Sequence, residues 1–81
     1  MTARNTSPLV EVRAELVANV WKHVAHVGDR VRVGDVLSVL ESMKMEIPVL
    51  TEIDGVIAEQ RVPEGTIVQE GDVLWVIDSS S

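Results

Sequence analysis

Lys44 is the residue of this sequence best suited to covalent chemistry, because it stands between two methionines in the segment Glu41-Ser42-Met43-Lys44-Met45-Glu46. The chain has one other lysine, Lys22. Large apolar side chains on both sides of a cation are unusual in an ordinary solvated turn. Unbranched, polarizable methionines suit a surface that another protein recognises. The pattern therefore predicts a lysine whose amine is modified by a partner protein.

The segments on either side of Lys44 predict that it lies at the tip of a hairpin. Residues 36–41 and 47–51 are rich in β-branched and apolar side chains, which is typical of strands. The tip has no Asn-Gly or Asp-Gly, so a two-residue primed turn would place Met43 and Lys44 at positive φ. Strain of this kind in non-glycine residues is concentrated at functional sites. We predict positive φ at one or both residues.

An internal repeat with an offset of 37 residues relates the two halves of the chain. Residues 27–41 align with residues 64–78, with identical pairs that include Gly28/Gly65, Gly34/Gly71 and Asp35/Asp72. Two copies are too few for a solenoid. We therefore predict one β domain of two similar halves about a pseudo-two-fold axis. Lys44 then lies in the hairpin that joins the halves, at the opposite end of the domain from the chain termini.

The pattern along the chain predicts an all-β fold, a compact sandwich or flattened barrel. The predicted strands are 9–13, 16–24, a short one around Val31, 36–41, 47–51, one from Gly55 through Ile57, a short one around Val68, and 73–78. No window carries a helical apolar stripe. All five glycines are predicted to lie between strands, where positive φ is needed: Gly28, Gly34, Gly55, Gly65 and Gly71. Residues 9–78 form the predicted domain, with tails at 1–8 and 79–81.

Composition excludes several classes of function. With 81 residues the chain forms one small domain, and with no cysteine it has neither disulfides nor a thiolate metal site. A formal net charge of −6 disfavours nucleic acid and anionic membranes as partners. No apolar run is long enough to cross a bilayer, and no secretion signal is present. We expect a soluble cytoplasmic protein.

The other candidate residues carry weaker signals. His23 and His26 are three apart, so in a strand they face opposite sides, and no third ligand is evident; we predict no metal site. The two aromatic residues, Trp21 and Trp75, are expected to pack partly buried, with a docking patch as the alternative. No catalytic constellation is present.

The segment around Lys44 resembles the attachment motif of the biotinyl/lipoyl attachment domain family, biotinyl type. It is similar to the family's Glu-Ala-Met-Lys-Met run, with Ser42 in place of alanine, whereas lipoyl domains usually show Asp-Lys-Ala. The resemblance extends from about Val12 to Asp78. Ala18 stands where the family often has glycine, while Gly55 keeps the glycine in the second half. The family's hammerhead fold implies a flattened barrel of two four-stranded antiparallel sheets.

The resemblance also implies a function. A biotin protein ligase would attach biotin covalently to Lys44, and the chain would be a non-catalytic carrier, like a biotin carboxyl carrier protein. The swinging arm would move carboxyl groups between the biotin carboxylase and the carboxyltransferase of a biotin-dependent carboxylase. We expect a monomer in isolation, either a free-standing carrier or an excised domain. The residues implied in ligase recognition are Met43, Met45, Glu41, Ser42 and Glu46.

Three alternatives remain open from the residues. Glu41 and Glu46 could simply keep the tip soluble, as most surface charges do. The chain could be a lipoyl carrier in an acyl-transfer complex, although the Met-Lys-Met tip argues against it. It could also be an interaction module of the same fold in which Lys44 is never modified.

Overall fold

The computed structural model describes residues 8–80 and consists of eight strands. These are β1 (Leu9–Arg13), β2 (Ala18–His23), β3 (Arg30–Val31), β4 (Val36–Ser42), β5 (Met45–Leu50), β6 (Gly55–Gln60), β7 (Ile67–Val68) and β8 (Val73–Asp78). Every predicted strand is present. The largest differences are in β2, which is shorter than predicted at both ends, in β5, which begins two residues earlier and ends one residue earlier than predicted, and in β6, which continues to Gln60. Of the predicted tails, residues 1–7 and 81 lie outside the described residues. Within residues 8–80, no helix has the length and apolarity that crossing a bilayer requires.

The strands form two four-stranded antiparallel sheets, ordered β1-β8-β6-β3 and β5-β4-β2-β7. Adding 37 to the residue numbers of β1 to β4 gives the bounds of β5 to β8 to within one residue, and converts one sheet order into the other. The extra residues at the strand bulges repeat too, since Trp21 in β2 corresponds to Ala58 in β6. The predicted fold class and pseudo-two-fold symmetry are confirmed.

Hydrogen bonds between the halves interlock them. The Gly28 N–H donates to the Ile57 carbonyl at 2.9 Å, and the equivalent Gly65 N–H donates to the Val20 carbonyl at 2.7 Å. Each half therefore satisfies backbone hydrogen-bonding groups of the other, and each sheet contains strands from both halves. The repeat folds as one domain rather than as two units in series.

The core lies between the sheets and is assembled from both halves. Its largest fully buried apolar side chains are Trp75, Leu37, Leu40, Ile57, Leu74 and Ile77. They come from β4, β6 and β8, which are the central strands, together with Val20 of β2. Burial of Leu40 holds the register of β4, because a one-residue slip would exchange it with its exposed neighbour Glu41. In β8 four consecutive residues, 74–77, are buried.

The glycines divide into two groups. Gly28, Gly34, Gly65 and Gly71 have φ between 88° and 95° and lie in turns, as predicted. The prediction for Gly55 is wrong: it is the first residue of β6, is buried, and has no positive φ. A Cβ there would lie 2.6 Å from the Asp78 carbonyl oxygen and 2.7 Å from Ile77 Cγ2. Glycine is needed at this position because β8 approaches so closely, not because of backbone conformation.

Candidate functional site

The β4–β5 hairpin closes with a two-residue turn formed by Met43 and Lys44. Ser42 pairs with Met45 and Glu41 pairs with Glu46, so no other residue remains in the loop. Met43 has φ 48° and Lys44 has φ 68°. Positive φ at both central residues is the signature of a type I′ turn, whose twist matches that of the flanking strands. The predicted positive φ is therefore confirmed at both residues.

Burial behind the turn compensates for this strain. Left-handed backbone costs a non-glycine residue about 1–2 kcal/mol. Leu40 of β4 is 1% exposed, and its partner in β5, Ile47, packs against the core. Shifting the register by one residue to relax the turn would expose Leu40, which would cost more than the strain. The core thus imposes the turn on residues that do not favour it.

The tip presents its side chains to solvent. Met43 is 92% exposed and Met45 is 62% exposed. Lys44 is also exposed, and no ion pair found within residues 8–80 includes its ammonium group. A primary amine therefore stands on a short, rigid support between two thioether side chains. This arrangement suits acylation of the amine by an enzyme that recognises the tip.

Two carboxylates face each other just below the tip. Glu41 and Glu46 are directly opposite in the hairpin and both are exposed. Neither belongs to any ion pair in the described part of the chain. Like charges at opposite positions of a sheet destabilise it slightly. The pair leaves two acidic groups free to contact a basic partner. Ser42, paired with Met45, is half-buried.

Lys22 occupies a different setting. It lies within β2 opposite Val39 of β4 and is exposed on the outer face of its sheet. Its backbone has no positive φ. The structure therefore separates the two lysines by backbone conformation, and Lys44 is the one at a projecting turn.

A buried polar network involves His23 and was not predicted. The Trp75 indole N–H donates to Ser38 Oγ at 2.8 Å. Ser38 Oγ lies 2.7 Å from His23 Nδ1, and His23 Nε2 lies 2.7 Å from the Val62 carbonyl oxygen. Because a carbonyl can only accept, we assign the proton to Nε2, and the Ser38 hydroxyl then donates to Nδ1. His23 therefore has a structural role.

The other candidate residues, His26, Trp21 and Trp75, lie outside the Lys44 turn. His26 lies beyond β2, with Nδ1 3.6 Å from an Asp29 carboxylate oxygen at an exposed position. No group of three or more potential metal ligands occurs in residues 8–80. Trp75 is fully buried, whereas Trp21 is 47% exposed. A signal for the network was present in the repeat, since Ser38 and Trp75 occupy equivalent positions.

Comparisons with known proteins agree with this geometry. Residues 8–77 match the family model described as "Biotin-requiring enzyme". The chain is 49% identical over 67 residues to a "Biotinylated protein TB7.3 homolog" of Mycobacterium leprae (strain TN), covering 83% of this chain and 94% of that protein. It is 39% identical over 70 residues to a "Biotin/lipoyl attachment protein" of Bacillus subtilis (strain 168), covering 86% and 96%.

The fold is shared with a carboxylase. A region of a single-chain, multi-domain long-chain acyl-CoA carboxylase superposes with a TM-score of 0.85 and 26% identity, covering 99% of this chain and 8% of that one. These matches support biotin as the covalent cofactor. They also support a carrier role for the domain, with no enzymatic activity of its own. From the motif, the fold and these matches together, the chain belongs to the biotin/lipoyl attachment domain family.

Proposed function

We propose that Lys44 is the biotin attachment site and that residues 9–78 act as the biotin carboxyl carrier of a biotin-dependent carboxylase. The single observation that carries this proposal is the strained two-residue turn, which presents an exposed amine between Met43 and Met45. The relatives named as biotinylated proteins support it. The partners are a biotin protein ligase, a biotin carboxylase and a carboxyltransferase.

The residues of the tip fit a biotinyl group. Lys44 Nζ would hold the group through an amide bond to the carboxyl carbon of biotin: as a neutral amine it would displace the activating group from that carbon and lose a proton to solvent. The chain loses one positive charge, so its formal net charge falls from −6 to −7. Met43 and Met45 offer apolar contact to the ligase, and Glu41, Ser42 and Glu46 complete the surface that it recognises.

The chain's own contribution after attachment is mechanical. When bound, biotin supplies a ureido nitrogen that accepts and releases a carboxyl group. The type I′ turn holds the base of the arm away from the sheets, and the domain keeps the arm near its enzymes. Tethering raises the effective concentration of the reacting group, so weak docking is sufficient. No residue of this chain is assigned a catalytic role.

Intact-mass analysis of the protein co-expressed with a biotin protein ligase tests the proposal. We expect one biotin adduct on the wild-type chain and on Lys22→Arg, and no adduct on Lys44→Arg. Both variants keep the positive charge, so charge alone does not distinguish them. An adduct that persists in Lys44→Arg, a lipoyl adduct, or an unmodified wild-type chain would each overturn the assignment.

A further inference from the structure

We propose that the ligase docks on the outer face of the β5-β4-β2-β7 sheet as well as on the tip, an inference that rests on the proposed function. We call this surface the tip-sheet face and define it by Trp21, Val39, Pro48 and Ile67. Its partner is a ligase surface that is apolar at its centre and basic where it meets Glu41 and Glu46.

The strand registers place Trp21, Val39 and Pro48 in one strip across the sheet, and Ile67 one row nearer the tip. Val39 of β4 lies between Pro48 of β5 and Lys22 of β2. A bulge in β2 adds Trp21 beside Lys22, so that both lie opposite Val39, on the outer face. Ile67 of β7 pairs with Asn19 at the next outward position of β2. The strip is open to solvent, with Trp21 47% and Ile67 67% exposed.

The repeat supplies an internal control for this strip. The other sheet has the same backbone, including the bulge, yet at the four equivalent positions it exposes no large apolar side chain. Moving 37 residues along the chain replaces the four residues of the tip-sheet face with Ala58, Val76, Glu11 and Arg30 respectively. Two ion pairs, Glu11–Arg13 and Glu59–Arg61, flank the strand that contains Val76.

The comparison separates what the fold requires from what it does not. Alanine is sufficient at the bulge, and a charged side chain is sufficient at the positions of Pro48 and Ile67, because the other sheet folds with these residues. Trp21 and Ile67 therefore expose apolar area that backbone architecture does not demand. Contiguous exposed apolar surface with a polar rim is typical of a protein interaction site.

The position of the strip identifies the partner. It lies on the sheet that contains the Lys44 hairpin, so a protein bound over the tip can reach it. Two methionines and a lysine alone offer far less area than the roughly 800 Å² per partner of a standard interface. The ligase acts on the chain before biotin is attached, so its recognition must come entirely from protein surface. Later enzymes can bind the attached group as well.

Charge favours the same partner surface. Glu41 and Glu46 lie on the outer face in the same cross-strand row as Asn19 and Ile67, between Val39 and the tip. Neither carboxylate has an ion-pair partner in the described part of the chain. Basic side chains on the ligase would neutralise this pair and relieve its mutual repulsion.

The test exchanges residues between the two faces. The apo-protein is incubated with purified biotin protein ligase, biotin and ATP, and biotin incorporation is measured against carrier concentration. We expect the double variant Trp21→Ala with Ile67→Arg to raise KM for the carrier about tenfold or more, since a tryptophan that becomes buried on binding is commonly a hot spot of an interface. kcat should change little. The matched control, Ala58→Trp with Arg30→Ile, alters the other face by the reverse exchange and should leave KM unchanged.

Folding is checked by urea unfolding of each variant. If Trp21→Ala impairs folding, Ile67→Arg provides the test alone, because that side chain is the more exposed. Equal KM values for wild type and Ile67→Arg, or equal effects of changes on both faces, overturn the inference while Lys44 is still biotinylated. Unchanged ligase kinetics with weakened binding to a carboxylase subunit also overturn it. A wild-type chain that accepts no biotin overturns the proposed function itself.

Discussion

The two halves of the molecule share one backbone but differ where their side chains meet each other or a partner. Both halves use glycine and aspartate in equivalent turns, such as Gly34-Asp35 and Gly71-Asp72. The carboxylates of Asp35 and Asp72 each accept a hydrogen bond from the backbone N–H of the residue three positions earlier. The halves diverge at the start of β2 and β6, at Ser38 and Trp75, and at the hairpin. Backbone needs are therefore met symmetrically, and the asymmetry marks packing and function.

The largest expected effect comes from making the two halves alike at Ala18 and Gly55. In Gly55→Ala the new Cβ would meet the Asp78 carbonyl and Ile77 at distances that force the backbone to move. We expect a loss of about 3 kcal/mol in the free energy of unfolding. The reverse change, Ala18→Gly, should cost only about 1 kcal/mol. Urea denaturation measures both, and equal losses would show that β8 does not constrain Gly55.

The second effect concerns Ser38, whose counterpart in the other half is the residue that it contacts, Trp75. Ser38→Ala leaves the Trp75 indole N–H and His23 Nδ1 without their partner in a buried site. We expect a loss of about 2 kcal/mol in the free energy of unfolding.

Ser42→Ala is the matched control for Ser38, because Ser42 lies in the same strand and is only half-buried. Its cost should be well under that of Ser38→Ala by thermal or urea unfolding. If the two serines proved equivalent, the network would contribute nothing to the asymmetry between the halves.

The third expected effect is a gain in stability, and it is expected at the hairpin. Met43 and Lys44 have positive φ there, whereas the other turns with positive φ use glycine. Met43→Asn places a residue that tolerates positive φ at the first turn position. We expect a gain of up to about 1 kcal/mol in the free energy of unfolding. Met45→Asn, in a strand, should give no gain. Loss of stability in Met43→Asn would mean that the turn is not strained.

The smallest effect concerns Asp78 and Ser80, which the 37-residue repeat aligns with Glu41 and Met43 of the hairpin. Hydrogen bonds from Ser80, first from its side chain and then from its backbone, lower the pKa of Asp78 from its ordinary value of 3.8. A lowered folded-state pKa contributes stability at pH values above 3.8, and this is lost as the pH falls through the folded pKa.

In Ser80→Ala the pKa of Asp78 should rise toward 3.8, so the loss on acidification begins at a higher pH. An NMR titration of the Asp78 carboxyl carbon measures the shift. Ser79→Ala is the control, because Ser79 donates to the Pro8 carbonyl instead. The same titration curve in wild type and Ser80→Ala would remove the role assigned to Ser80.

Much of the fold could be predicted from local pattern. Strands β1 and β8 have the predicted bounds, and the repeat predicted that the halves are equivalent. Gly55 was mispredicted because a glycine signal does not distinguish positive φ from close approach by another strand. The Ser38–His23 contact could not be predicted, since it joins residues whose proximity depends on the register of β2 and β4. The exposure of Trp21 depends on a bulge that no local pattern predicted.

The sequence alone determined the class of fold, the symmetry and the lysine at the tip, because these follow from short-range periodicity, turn residues and a repeat. Tertiary structure decided which residues are strained, which polar groups are buried together and which large apolar side chains stay exposed on a sheet face. The strain at Met43 and Lys44 exists because burial of Leu40 and its neighbours holds the register of the hairpin. Packing across the two sheets, which no single segment encodes, sets the conformation at the site.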